Sequence, residues 1–195
     1  MISAPLRIMI VAALCVLSLI ALVVRESMAR AAGTEVQMSM EAVDPRALLS
    51  GNYVTVSLRE ALPAGALCPT NAAGLNNEWV ALKPDGAIAH AIGGASTRED
   101  ALRQAPLAAH GSLSCNDASP GFFGIGATHA TMVADLGIQR FYVGQAEARR
   151  IDDLLRHADR NAPSPVNAIV SIGQDGRARL KGLSVKGKRL ELNWL

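Results

Sequence analysis

An uninterrupted apolar segment near the N-terminus is the feature that most constrains this 195-residue chain. Residues 8–24 contain one polar side chain, Ser18, and Arg7 and Arg25 flank them. At about 1.5 Å per residue a helix over this segment spans about 25 Å, slightly less than a hydrocarbon core of about 30 Å. The two arginines can extend to the two interfaces. The segment therefore predicts a membrane anchor, within an N-terminal anchor-and-linker region of residues 1–32.

A cleaved secretion signal is the alternative interpretation of the same segment. Ala29-Arg30-Ala31 has the small-x-small pattern of a cleavage site after Ala31. Against cleavage, the apolar run is longer than the usual 7–15 residues, and Arg25, Glu26 and Arg30 crowd the site. A retained anchor is therefore favoured. Arg7 and the amino terminus favour a cytoplasmic N-terminus, and both interpretations place the remainder of the chain, residues 33–195, outside the cytoplasm.

The composition excludes several classes of protein. Half of the residues are apolar and 18% are charged, which excludes a disordered chain. Aromatic residues are 4% of the chain, too few for a platform that stacks single-stranded nucleic acid. The net charge of +2 is not the electrostatic signature of a nucleic-acid-binding protein.

The pattern after the anchor predicts a mainly β domain of the α+β class: an antiparallel β-rich domain with one long amphipathic helix. Val36, Met38 and Met40 alternate with polar residues, as in a half-buried strand. The predicted helix covers residues 145–160, where apolar side chains recur at helical spacing. Residues 25–33 are predicted to be a linker. Further strands are predicted at residues 52–58, 79–82, 87–92, 107–114, 127–136, 139–143 and over most of 166–194, with a bulge at Gly182.

Cys68 and Cys115 are the two cysteines of the exported region, because Cys15 lies in the apolar segment. Two cysteines in an oxidising compartment pair more often than they stay free, so we predict a Cys68–Cys115 disulfide. Two buried thiols are the alternative. A zinc site is disfavoured because neither cysteine has a second ligand at the usual spacing.

Two sequence blocks resemble a known family. Residues 43–54 read Val-Asp-Pro-Arg-Ala-Leu-Leu-Ser-Gly-Asn-Tyr-Val, and residues 137–143 read Gly-Ile-Gln-Arg-Phe-Tyr-Val. They resemble the signature of the bacterial GDYXXLXY proteins, as does the ending at residues 175–183. The motif residues that correspond are Asp44, Pro45, Arg46, Gly51, Asn52, Tyr53, Gly137, Arg140 and Tyr142. The resemblance implies a single-pass bacterial membrane protein that accompanies a larger membrane protein, and it implies no reaction.

The chain departs from the family pattern at four positions. Asn52, Val56 and Leu58 replace the family's Asp, Leu and Tyr, and Gln139 replaces its Glu. An amide keeps a hydrogen bond but is neither a carboxylate base nor a strong ligand for a hard metal. Asp at an N-cap, Pro at the first helical position and Gly after the last are helix-capping signals, so we expect Asp44, Pro45, Gly51 and Tyr53 to be structural, with Asp44 and Pro45 opening a short helical turn. The alternative is a recognition element in which Arg46 binds a carboxylate or a phosphate.

No residue pattern predicts a catalytic set, a cofactor or a metal. The four histidines, His90, His110, His129 and His157, are not spaced as metal ligands. Six basic residues crowd the C-terminal hairpins, at positions 177, 179, 181, 186, 188 and 189, with no acidic residue between them. They predict either a patch for anionic headgroups or an acidic partner, or the favoured alternative, a solvated strand face with edge-protecting lysines.

The function expected from these observations is that of a non-catalytic interaction or accessory module. It would be anchored in the inner membrane by residues 8–24, with its C-terminal domain in the periplasm and a membrane or envelope protein as its partner. The alternative is an envelope hydrolase or small-ligand-binding domain, with a site near residues 44–53 and 137–142.

Overall fold

The fold is described from a computed structural model of the chain. It covers residues 4–40, 53–63, 65–72, 77–116, 130–138, 140–158 and 164–191. Asp44, Pro45, Arg46, Gly51 and Asn52, and with them the predicted helical turn, lie outside the described residues.

The chain begins with one long helix, α1 (Ala4–Ala32). Its stretch Ile8–Ala32 is long and apolar enough to cross a membrane, with a mean hydropathy of 2.8. The linker predicted at residues 25–33 is wrong, because the helix continues to Ala32. The reason is local: Glu, Met, Arg and Ala in this stretch all favour a helix, and it ends just before Gly33.

Twelve strands and two further helices follow in the described residues, and the prediction of a mainly β, antiparallel-rich domain is confirmed. One sheet has seven strands in the order β12-β11-β10-β1-β5-β4-β6, a second has three in the order β3-β8-β7, and β2 pairs with β9 alone. The neighbours are antiparallel, except that β1 and β5 run parallel. The elements are β1 (Thr34–Ser39), β2 (Tyr53–Thr55), β3 (Leu58–Ala61), β4 (Trp79–Asp85), β5 (Ile88–Ala95), α2 (Arg98–Gln104), β6 (Leu107–His110), β7 (Ser112–Asn116), β8 (Thr131–Asp135), β9 (Arg140–Tyr142), α3 (Gln145–Arg156), β10 (Val166–Ile172), β11 (Ala178–Val185) and β12 (Lys188–Glu191).

The seven-stranded sheet coils until its edge strand β6 reaches the turn between β10 and β11. There the amide of His110 donates to the carbonyl of Gly176 at 2.8 Å. The indole of Trp79, at the start of β4, lies directly over Gly176, where a Cβ would overlap the ring. The coiled sheet thus encloses a core to which the three-stranded sheet and α3 also contribute.

Several local predictions are confirmed in detail. Val36, Met38 and Met40 are all buried. The bulge at Gly182 is present, because Ile169 pairs with Gly182 and Val170 with Leu180, which leaves Lys181 as the extra residue. The helix predicted at residues 145–160 is α3, and Ile151 and Leu155 of its apolar stripe are buried.

Two predicted strands are each divided in the structure. The strand predicted at residues 52–58 is β2 and β3, which belong to different sheets. The strand predicted at residues 107–114 breaks at Gly111, where the chain leaves the seven-stranded sheet for the three-stranded one. A Cβ at Gly111 would overlap the carbonyl of Asp135, so only glycine permits this close passage between the sheets.

Candidate functional site

The two blocks that carry the family resemblance meet in space. Strand β2 begins at Tyr53 and pairs antiparallel with β9, placing Tyr53 opposite Tyr142 and Thr55 opposite Arg140. These two strands are called the signature ribbon below. Residues almost ninety positions apart in the chain therefore form one local structure. The sequence placed one candidate site near both segments but did not predict that they pair as strands.

Successive residues of β9 face opposite sides of the signature ribbon. Phe141 is 1% exposed and belongs to the common core, whereas Tyr142 is 56% exposed and Arg140 is exposed. Gly137, before β9, has φ +73° and its amide donates to Asp135 Oδ1 at 3.0 Å. Strand β9 is thus fixed through Phe141 and presents Arg140 and Tyr142 outward.

A cleft of about 680 Å³ runs along α3 near the start of β10, lined by Arg149, Asp153, Leu154, His157, Pro165, Lys186 and others. Arg140 and Tyr142, the two β9 residues whose exposed side chains the structure describes, do not line it. Strand β9 of the signature ribbon therefore presents these two side chains outside this cleft.

The end of α1 is bonded to the sheet through a group of side chains that the sequence did not predict to be close together. Arg179, on β11, is 9% exposed and donates from Nε to Glu26 Oε1 of α1 at 2.7 Å. Its Nη2 donates to Asp175 Oδ2 at 2.9 Å. Ser171, fully buried on β10, donates from its hydroxyl to the carbonyl of Arg30 at 2.7 Å. We call Glu26, Arg30, Ser171, Asp175 and Arg179 the juxtamembrane cluster.

A second group of charges lies beside this cluster on the same sheet. Glu35 of β1 accepts from Lys181 Nζ at 2.8 Å and from Arg189 Nη1 at 2.6 Å. The hydrogen bond from Arg189 and, to a smaller extent, the one from Lys181 lower the pKa of Glu35 to about 2. In the juxtamembrane cluster the hydrogen bond from Arg179 lowers the pKa of Asp175 to about 2. Both carboxylates are therefore held ionised by the arginines beside them.

Three of the six basic residues at the C-terminal hairpins are compensated in the fold. Arg179 is paired with Glu26 and Asp175, and Lys181 and Arg189 share Glu35. Glu26 and Glu35 come from distant parts of the chain, which is why a local count of charges did not find them. The six residues accordingly do not form one uncompensated patch.

The histidines of the described residues are separate from one another. His90 bonds through Nδ1 to Glu60 Oε1 across two sheets, His110 lies edge-on to Trp79, and His157 contacts the carbonyl of Asp153. Within the part of the chain that the structure describes, no three histidine, cysteine, aspartate or glutamate side chains are grouped as metal ligands.

Cys68 and Cys115 form the predicted disulfide, with their Cα atoms 5.7 Å apart. The bond joins β7 to the segment that follows β3. Cys15 is a free cysteine on the exposed surface of α1.

A candidate membrane helix bonded to a coiled β domain, with a disulfide and a paired signature ribbon, defines a class of β-domain proteins with an N-terminal apolar helix. The model of the GDYXXLXY protein family matches residues 15–183, and the chain belongs to this family. Neither a curated protein nor a solved structure matches the chain.

Proposed function

We propose that this protein is a single-pass membrane protein whose β domain lies in the periplasm and acts as an accessory module, contacting another membrane or envelope protein. The carrying observation is α1. Its large apolar side chains, such as Leu17 at 61% exposure, are exposed on all sides. Exposure of so much apolar surface to water is unfavourable, and a lipid environment removes that cost.

The juxtamembrane cluster supports retention of the helix after export. Cleavage after Ala31 would remove Glu26, leaving Arg179 with only part of its hydrogen bonding, and would remove the Arg30 carbonyl that Ser171 binds. Because a mostly buried arginine or serine is costly without its partners, the domain is more stable with the helix attached.

The disulfide supports a periplasmic location for the β domain. A Cys68–Cys115 bond persists in the periplasm and is rare in the reducing cytoplasm. The domain and its signature ribbon therefore face the periplasm in this proposal. An accessory role is favoured because the signature ribbon presents Tyr142 and Arg140 on its outside and not in the α3 cleft.

Site-specific photo-crosslinking in intact cells tests this function. A photoreactive amino acid replaces Tyr142 in the signature ribbon or, as a control, exposed Lys83 on β4. We expect one membrane or envelope protein to crosslink from position 142 and not from position 83. Equal crosslinking from the two positions, or none from position 142, would reject the accessory role.

The topology is tested separately on the mature protein. We expect it to resist alkaline extraction from membranes and to retain its N-terminal segment. N-terminal sequencing that starts at Ala32 would reject the anchor.

A further inference from the structure

We propose that the turn between β10 and β11, together with Trp79, rests in the anionic headgroup layer of the membrane that α1 crosses. This inference rests on the proposed membrane anchor. The turn, residues 173–177, and the side chain of Trp79 are called the membrane-facing turn below.

The length of α1 sets the depth of the membrane-facing turn. With about 1.5 Å of rise per residue, Glu26 lies about 3 Å and Arg30 about 9 Å beyond Val24, the last residue of the apolar run. The headgroup region on each side of a bilayer is about 5–7 Å thick, given a total thickness of about 40–45 Å around a core of about 30 Å. Because the apolar run is about 5 Å shorter than the core, Val24 lies about 2–3 Å inside the core boundary. Glu26 therefore lies at the inner edge of the headgroups and Arg30 among them.

Direct bonds hold the turn at that depth. Arg179 bonds Glu26 on one side and Asp175, within the turn, on the other. The turn itself is closed by hydrogen bonds between Gly173 and Arg177 and between Gly176 and Gly173. The position of α1 in the bilayer is thus transmitted to the turn through one arginine.

The charge of this region favours anionic lipids. Residues 25–32 of α1 and residues 173–179 carry four arginines, Arg25, Arg30, Arg177 and Arg179, and two carboxylates, Glu26 and Asp175, a net charge of +2. Both carboxylates are bonded to Arg179. The side chain of Arg177 is exposed, and its amide donates to Asp175 Oδ1. A net positive charge at this level attracts phosphate headgroups.

Trp79 adds the side chain that is typical of a membrane interface. Its ring is partly exposed and packs on Gly176, with the Cζ of Arg98 6.0 Å from the ring centre. Tryptophan prefers the headgroup level because its ring is apolar and its N–H is polar. A tryptophan and an exposed arginine on one turn therefore fit the anionic headgroup layer.

The full chain in lipid nanodiscs provides the test. Trp194→Phe leaves Trp79 as the single tryptophan, because the chain has two. Discs of phosphatidylcholine, with or without phosphatidylglycerol, carry a nitroxide quencher on the headgroup or deep in the acyl chain. We expect the headgroup nitroxide to quench Trp79 more than the acyl-chain nitroxide, and more strongly with phosphatidylglycerol present.

Two single variants test the arginine. Arg177→Gln should lower the ratio of molecules whose Trp79 contacts lipid to molecules whose Trp79 does not by about five-fold, because one charge near the surface is lost. Lys186→Gln should change nothing, because that exposed lysine lies just beyond the opposite end of β11, a strand that spans about 23 Å at about 3.3 Å per residue.

Each other outcome is informative. A chain that does not co-purify with discs rejects the anchor itself. A chain that enters the discs but shows no headgroup quenching, or stronger quenching from the acyl-chain label, rejects the membrane-facing turn alone. Quenching that is independent of phosphatidylglycerol and of Arg177 rejects anionic headgroups as the ligand. Near-UV circular dichroism and an intact disulfide verify that both variants are folded.

Discussion

Arg179 and Glu26 are 153 positions apart in the chain, and a 2.7 Å hydrogen bond joins them. The bond connects a strand of the sheet to the last turns of α1, the candidate membrane helix. Because Arg179 also holds Asp175, one side chain fixes the helix, the β10–β11 turn and β11 relative to one another.

Arg179→Ala is expected to destabilise the domain by about 1–3 kcal/mol, the range for hydrogen bonds to charged groups and for partners left unsatisfied. Chemical denaturation of the full chain in mild detergent measures the change. Arg177→Ala, two residues away and exposed, is the matched control and should change the free energy of unfolding by less than about 0.5 kcal/mol. Equal effects of the two variants would contradict a structural role for Arg179.

The domain should lose stability in acid through Glu35 and Asp175. Their pKa values are lowered to about 2 in the folded chain, from 4.5 and 3.8. The unfolded chain therefore binds more protons between those values, and the stabilisation, complete above about pH 5, is lost as the pH falls toward 2. Denaturation at pH 7, 4 and 3 measures the slope.

Two variants assign that slope. Glu35→Gln should flatten the acid loss of stability, because glutamine does not titrate. Glu78→Gln, at an exposed carboxylate with no hydrogen bond to a described side chain, is the control and should leave the slope unchanged. A slope that is the same in both variants would exclude Glu35 as its source.

The disulfide should contribute substantially to stability. Cys68 and Cys115 are 47 positions apart, so the chain-entropy relation gives about 4 kcal/mol for closing that loop in the unfolded state. Cys68→Ser with Cys115→Ser should lower the free energy of unfolding by about that amount, and a reductant should then have no further effect. Two titratable thiols in unfolded, unreduced protein carrying Cys15→Ser would contradict the bond.

Two glycines with the same backbone conformation separate strain from packing. Gly176 and Gly187 both have φ +77°, but a Cβ meets the Trp79 ring at Gly176 and nothing within 4 Å at Gly187. Gly187→Ala should cost about 1–2 kcal/mol from the left-handed conformation alone. Gly176→Ala should cost more, because the ring must also move. Thermal melts of both variants give the difference. Equal melting temperatures would mean that the Trp79 indole moves away from the new Cβ at no measurable cost.

Neighbouring residues of the signature ribbon should respond in opposite ways. Phe141→Ala should cost about 3–5 kcal/mol, because the side chain is fully buried. Tyr142→Ala should cost less, because the side chain is 56% exposed, yet should reduce partner capture in pull-downs from solubilised membranes. A large loss of stability from Tyr142→Ala, with partner capture unchanged in the folded fraction, would assign this tyrosine to the fold.

Local patterns predicted much of this fold, and long-range contacts did not follow from them. The alternation through Val36 and Met38, the bulge at Gly182 and the stripe on α3 are set by residues close in the chain, so periodicity revealed them. The N-cap of α2 is Thr97, although Ser96 just before it has similar capping chemistry, so only the backbone geometry distinguishes the two hydroxyls.

The same distinction between local patterns and long-range contacts applies to the candidate sites. The family blocks were recognisable as sequence, but the pairing of Tyr53 with Tyr142 depends on how the sheets assemble. The Arg179–Glu26 bond was hidden because residues 25–33 were predicted to be a linker. Since Glu26 was assigned to a linker, no pattern suggested that it could be a fixed partner.

A single residue, Gly33, separates the end of α1 at Ala32 from the start of β1 at Thr34. A connection this short, bonded on both sides, leaves little freedom for the domain to swivel on its helix. In the proposed topology, torque applied to the helix within the bilayer would therefore be delivered to the sheet. A neighbouring membrane protein that rotated this helix about its long axis would then swing the signature ribbon through an arc above the membrane.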